Sequence, residues 1–280
     1  MASAVSSDDA PPPGAAFERS ATVILLDDRA GSMRVLMVER AATLGFAASA
    51  LVFPGGKVDV ADLQAPWQGR GGVSHPALKT IPDTEHDVHI AAIRELFEEC
   101  GILLAYRKGA LITGSALRTV TDDLEKTRAA INQDARLFPR FLEDHGLTPA
   151  FDRLTFFARW KTPAMVKRRF DTWFFAARLP AGQMAVADGT ESLSADWRTP
   201  ETFLARGESG EAKIIFPTAR TLERLVHFGT VDTVLEEGDP GIRDAITPAV
   251  KEENAERYLT IPEGFGYPVT RERLEKAVRG

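Results

Sequence analysis

Three carboxylates stand close together at Glu95, Glu98 and Glu99, within the segment Ile93-Arg94-Glu95-Leu96-Phe97-Glu98-Glu99-Cys100-Gly101-Ile102. On a helix advancing about 100° per residue, Ile93, Leu96, Phe97 and Cys100 share one side and the three glutamates cluster on the other. Like charges at i, i+3 and i+4 repel unless a cation collects them. Carboxylate oxygens are the ligands that hard divalent ions such as magnesium take, so the chemistry on offer is binding of such an ion. A solvated acidic helix face is the competing reading. Arg94, one turn before Glu98, tips the balance because it can orient a carboxylate through a charge-assisted bond.

Such a helix must be held by a sheet and a turn. Ala21 to Leu26 and Arg34 to Glu39 are short aliphatic runs around the turn-like DDRAGS, and they predict a hairpin. A third run, Ala50 to Phe53, stops at Pro54-Gly55-Gly56, where missing side chains permit a tight turn or close approach to a ligand. Val60 to Glu85 reads as a long surface loop. The pattern then predicts a helix over Asp87–Cys100 ended by Gly101, a strand at ILLAYR, and one or two helices over Thr121–His145 broken near Pro139. Strands follow near Leu154–Trp160 and Phe170–Arg178, then helices after Pro217 and in VDTVLEE. The chain beyond about Ile246 shows no pattern. Strands alternating with helices imply an α/β domain on a mixed sheet.

Composition narrows the partners. The 280 residues suffice for one large domain, and a net charge of −6 from 34 basic and 40 acidic residues offers no general surface for nucleic acid or an anionic membrane. The 44% hydrophobic content is that of a globular chain. No apolar run approaches the ~18 residues of a membrane span, and the N-terminal segment has no secretory pattern. One cysteine, Cys100, excludes an intrachain disulfide or cysteine zinc cluster and reads as core. The expected setting is cytoplasmic, and the chain ends Lys276-Ala277-Val278-Arg279-Gly280 rather than in a peroxisomal tripeptide. Monomer and homodimer stay open.

Gly56, followed later by Arg94-Glu95-Leu96-Phe97-Glu98-Glu99-Cys100-Gly101-Ile102, resembles the signature of the Nudix hydrolases, which cleave nucleoside diphosphates linked to another group. The second half matches at every fixed position. In the first half Asp62 stands where the family has Glu, and Leu63 to Ile93 stand where the family has seven residues. Asp59 and Asp62 are both candidates for the missing Glu. An interrupted signature resembles the branch of peroxisomal coenzyme A diphosphatases and their bacterial relatives. Phe53-Pro54-Gly55-Gly56-Lys57-Val58-Asp59, Trp160-Lys161-Thr162-Pro163 and Arg169-Phe170-Asp171-Thr172-Trp173-Phe174-Phe175 extend that likeness over roughly residues 20 to 265. Of the coenzyme A motif in a neighbouring branch only Arg40 and Ala41 match, with Gly45 and Ser49 replacing its Arg and Gly.

The resemblance implies a Nudix fold, an α/β/α sandwich around a mixed β-sheet, with an insertion at about 60–86 and added helices. A tail over 1–19, a domain over 20–265 and a tail over 266–280 are expected. It implies magnesium or manganese on Glu95, Glu98 and Glu99 with Gly56, catalytic roles for Arg94, Glu98, Glu99 and Glu191, and substrate contacts at Arg40, Gly55, Lys57 and Arg169. The reaction implied is pyrophosphate hydrolysis of coenzyme A or acyl-coenzyme A to adenosine 3′,5′-bisphosphate and (acyl-)phosphopantetheine. ADP-ribose, a nucleotide sugar or a dinucleotide is the alternative substrate, and a non-catalytic ligand-binding module the alternative class. His86-Asp87-Val88-His89 reads as helix-start and surface residues, Gly69-Arg70-Gly71-Gly72 as loop, and Lys167-Arg168-Arg169 equally as a solvated run or a phosphate contact.

Overall fold

In the computed structural model, residues 16–42, 47–64, 81–121, 123–163 and 168–277 are described; Gly45, the Gly69–Gly72 run and Lys167 lie outside them. The strands are β1 (Glu18–Asp27), β2 (Arg34–Arg40), β3 (Leu51–Val52) and β4 (Gly55–Lys57), followed by helices α1 (Val60–Gln64) and α2 (His86–Cys100). Next come β5 (Ala105–Arg107), β6 (Ala110–Leu111), α3 (Gly114–Leu117), α4 (Leu124–Gln133), α5 (Leu137–Asp144) and β7 (Leu147–Pro149). The chain continues through β8 (Thr155–Lys161), β9 (Phe170–Arg178), β10 (Ser192–Arg198), α6 (Pro200–Glu208), α7 (Phe216–Phe228) and α8 (Val231–Glu237). It closes with β11 (Ala249–Glu253), β12 (Glu256–Thr260), β13 (Arg271–Arg273) and α9 (Leu274–Ala277).

The main sheet runs β10-β2-β1-β9-β8, with β3 added to β2 and β4 to β1. β1 and β9 are parallel and the remaining pairs antiparallel, so the sheet is mixed. Alternation along its strands feeds two apolar layers. Ala21, Val23 and Leu25 join Leu36, Val38 and the apolar face of α2 in one, while Ile24 and Leu26 join Val35, Met37, Phe203, Leu222 and Leu225 in the other. Burial on both faces explains why ATVILL shows a continuous apolar run. The result is the expected α/β/α sandwich. No helix among the described residues is long and apolar enough to cross a membrane.

Several local expectations are corrected, beginning with the expected loop over 60–85, whose start is α1 with Ala61 and Asp62 buried. Within ILLAYR only Ala105–Arg107 is strand. Ile102, Leu103 and Leu104 are fully buried, and the Gln183 side-chain amide accepts from Leu103 N–H at 2.9 Å and donates to Leu103 and Ile112 carbonyls at 3.0 and 2.9 Å, taking the place of a strand partner. The break between α4 and α5 falls at residues 134–136, ahead of Pro139. Pro139 is tolerated in the first turn of α5, where an N–H has no intrahelical partner. Beyond Ile246 the chain is ordered: Ile246 bonds alongside β8, and β11, β12 and β13 form a three-stranded sheet. Its hairpin turns on Asn254 and Ala255, both at positive φ, within a charged stretch that carries no alternating signal. Tyr267, in the expected C-terminal tail, is buried.

Helix α2 is buried at thirteen of its fifteen positions and ends on Gly101 in the left-handed conformation. The histidine–aspartate cluster at its start is structural, but Asp87 and His89 are buried against other elements rather than on the surface. Asp87 pairs with Arg19 at 2.7 Å, and the His89 ring bonds Glu85 O at 2.7 Å and packs 4.4 Å from the Phe175 ring. Burial holds the His89 imidazole down at about 4. An unfolded chain protonates His89 near 6.5 whereas the folded one stays neutral to about 4, so stability falls as pH drops through that window. Urea unfolding across it should lose about 3 kcal/mol, and His89→Leu should flatten the profile; an unchanged slope in the variant would refute this origin.

Candidate active site

β1 and β2 pair only near their hairpin, at Leu26↔Val35 and Asp27↔Arg34. Farther along they part, β3 pairing with β2 and β4 with β1. The Pro54-Gly55-Gly56 step in the split brings bare backbone against α2. A Cβ on Gly55 would stand 2.2 Å from Ala21 O, and one on Gly56 only 2.4 Å from the Glu95 carboxyl. Gly55, at positive φ and against backbone, admits no side chain, whereas a side chain at Gly56 could enter only by displacing the Glu95 carboxyl. Gly55 N–H donates to Glu99 Oε2 at 3.0 Å, which turns Glu99 inward as a clamp on the turn.

Arg94 gathers the other acids. Its Nη1 donates to Glu95 Oε1 at 2.9 Å and to both Glu98 oxygens at 3.1 Å. Its Nε and Nη2 form a fork on Asp62 at 3.0 and 2.8 Å, and Nη2 also reaches Lys57 O at 2.9 Å. Between the two candidates for the missing Glu, Asp62 meets Arg94. Asp59 instead accepts from Ala61 N–H at 2.8 Å and donates its own N–H to Asp62 Oδ2, capping α1.

The site is over-supplied with acid. Burial, then Glu95, pushes Glu98 up to about 8 against the pull of Arg94. Burial raises Glu95 as well, with Asp62 and Glu191 adding to the rise and Arg94 opposing it. Glu99 is raised by burial, Glu95 and Glu191, with the Gly55 N–H and Arg40 opposing. Among the described residues no three His, Cys, Asp or Glu side chains form a ready ion cage. The donor set nevertheless suits a hard divalent cation: all oxygen, beside a glycine backbone, and raised in pKa by burial and by the neighbouring carboxylates.

The acids open on a cavity of about 800 Å³ lined by Glu95, Glu98, Arg94, Gly55, Gly56, Lys57, Arg40, Arg168 and Glu191. The structure thus brings together nearly all the residues singled out from sequence. Glu99 is outside the lining, bonded to the Gly55 N–H that borders it. Arg169 is outside the lining, its guanidinium 4.1 Å over the Phe17 ring, and Arg168 takes the cavity position. Cys100 is fully buried and its thiol pushed up by burial.

Arg128 escaped the sequence reading. Fully buried on α4, it donates to Phe97 O at 3.1 Å, to Glu98 O at 3.2 and 2.9 Å, and to Val186 O at 2.8 Å. It caps the C-terminal carbonyls of α2 and steadies the turn that carries Glu98 and Glu99. Its only sequence signal was a cation in an amphipathic helix.

Residues 74–225, over half the chain, match the family model of the NUDT19 Nudix domain, and the chain belongs to the Nudix family. Curated relatives include the acyl-coenzyme A diphosphatase NUDT19 of Homo sapiens, 30% identical over 72% of this chain and 63% of the relative. That of Xenopus laevis is 29% identical over 71% and 61%. The chain thus spans under two thirds of these relatives' length. A crystal structure of a Nudix hydrolase from Alicyclobacillus acidocaldarius superposes with a TM-score of 0.66 at 24% identity, over 79% of this chain and 96% of that one, and shows the same fold.

Because Asp62 pairs with Arg94 out of water, Asp62→Ala should cost about 3 kcal/mol or more in urea unfolding. Asp59→Ala, which removes an exposed cap, should cost about 1 kcal/mol. The reverse order would reassign the partner of Arg94.

Proposed function

We propose that the protein hydrolyses the diphosphate linkage of coenzyme A or an acyl-coenzyme A, giving adenosine 3′,5′-bisphosphate and (acyl-)phosphopantetheine. The observation that carries this reading is one cavity joining the carboxylates Glu95 and Glu98 to the cations Arg40, Lys57 and Arg168. The relatives' names support the substrate class.

Glu95 and Glu98, with Glu99 and the Gly56 backbone, would hold magnesium or manganese, which supplies positive charge for the leaving oxygen and a more acidic water. Arg94 fixes the carboxylates' orientation and balances part of their charge, so little rearrangement is needed as charge develops. Arg40, Lys57 and Arg168 neutralise the diphosphate, the arginines as planar forks. Glu191, whose charge already acts on Glu95 and Glu99, is assigned as the base whose carboxylate takes the proton of the attacking water. A water oxygen bonds one phosphorus, the bridging P–O bond breaks, and the second phosphate leaves as a monoester.

Incubation with coenzyme A and magnesium, followed by chromatography, should yield the two named products. Chelation should abolish the rate and added magnesium restore it. Glu98→Gln should lower kcat at least about a hundredfold, and Gly56→Ala should lower it by displacing Glu95. Turnover of ADP-ribose alone would reassign the substrate, and magnesium-dependent thermal stabilisation without hydrolysis of any diphosphate would make the protein a binding module.

A further inference from the structure

The cavity has two chemically unlike ends. On the side of the sheet opposite the apolar layer of α2 its walls are Phe53, Trp160, Phe174 and Phe216, against which the C-terminal segment sets Leu259 of β12 and Ala277 of α9. That segment is fixed to the core. Trp160 Nε1 donates to the Tyr267 hydroxyl at 3.1 Å, and the two rings meet edge to face at 5.5 Å. Ile246 N–H donates to Arg159 O at 2.7 Å and its carbonyl accepts from Lys161 N–H at 2.9 Å, gripping the strand on either side of Trp160.

These six walls present hydrocarbon. The single side-chain donor among them, the Trp160 indole, is committed to Tyr267. A purine here would find partners only on the polar neighbours of these walls, Lys161, Thr162, Thr172 and Thr218, whereas a hydrocarbon tail needs none. Ala277 is the smallest of the six, so a larger side chain there would narrow the cavity.

We propose that this C-terminal wall selects the acyl group at the end of the substrate's pantetheine arm, with Leu259 and Ala277 as the specificity-determining residues. The inference rests on the proposed coenzyme A reading and adds that the length of the tail is read by a part of the chain outside the catalytic signature.

The test compares kcat/KM for free, acetyl-, octanoyl- and palmitoyl-coenzyme A and for ADP-ribose in the parent, Ala277→Phe and Leu259→Ala. The parent should favour octanoyl- over free coenzyme A. Ala277→Phe should reduce the octanoyl-to-free ratio about tenfold, and Leu259→Ala should shift the preference toward palmitoyl. Equal ratios in all three proteins would overturn the proposal, as would an ADP-ribose rate falling by the same factor as the octanoyl rate, since the base would then occupy this end. If the parent hydrolyses no diphosphate, the functional reading fails separately, and calorimetric Kd values for octanoyl- and free coenzyme A decide the wall. Tail-dependent affinity lost in Ala277→Phe supports it, and identical values in all three proteins refute it. Circular dichroism checks folding, and Leu259→Ala carries the test if Ala277→Phe does not fold.

Discussion

A single buried guanidinium organises this molecule. Arg94 is 3% exposed and holds Asp62 from α1, Lys57 O from β4, and Glu95 and Glu98 from its own helix. A charge so far from water is tolerable only when every donor is met. That requirement fixes the register of α2 against the split sheet and the distance of α1 from both. The same requirement explains the acid excess. Three carboxylates share one cation, so burial and mutual repulsion leave Glu98 ionising only near 8. The site is thereby prepared for further positive charge.

The surrounding layers supply rigidity. α2 is wedged on both faces, with aliphatic and aromatic side chains beneath it and the glycine turn against its acidic side. Arg128 satisfies its last carbonyls, and Arg19, bonded to Asp87 and to Thr84 O, secures its start. Helix position is thus set at both ends by arginines on other elements, which keeps the glutamates from drifting along the helix axis.

Much of this was legible in the sequence because it is local. The helix, its Gly101 terminus and the β1–β2 hairpin follow from short-range pattern, and the grouping of Glu95, Glu98 and Arg94 follows from helical spacing. What escaped depends on partners distant in the chain. Gln183 replaces a strand partner for residues some eighty positions earlier, and nothing around Gln183 announces it. The choice between Asp59 and Asp62 needed the fold to show which reaches Arg94. The β11–β12 hairpin, rich in charge and exposed, lacks the apolar alternation that marks a buried strand. Arg168 rather than Arg169 reaches the cavity because β9 begins at Phe170 and ties residue 169 to Glu18 and Phe17.

The Asp62–Arg94 bridge joins residues 32 positions apart. Closing a loop costs entropy that grows only with the logarithm of its length. Extending the intervening stretch from seven residues to the 31 between Asp62 and Arg94 therefore adds only about 1 kcal/mol, less than the bridge itself contributes against an unpaired charge. The catalytic signature is in this sense a three-dimensional pattern with a gap of adjustable length. Evolution, or an engineer inserting a reporter domain ahead of the start of α2, can vary that gap while the geometry that counts stays closed by a handful of hydrogen bonds.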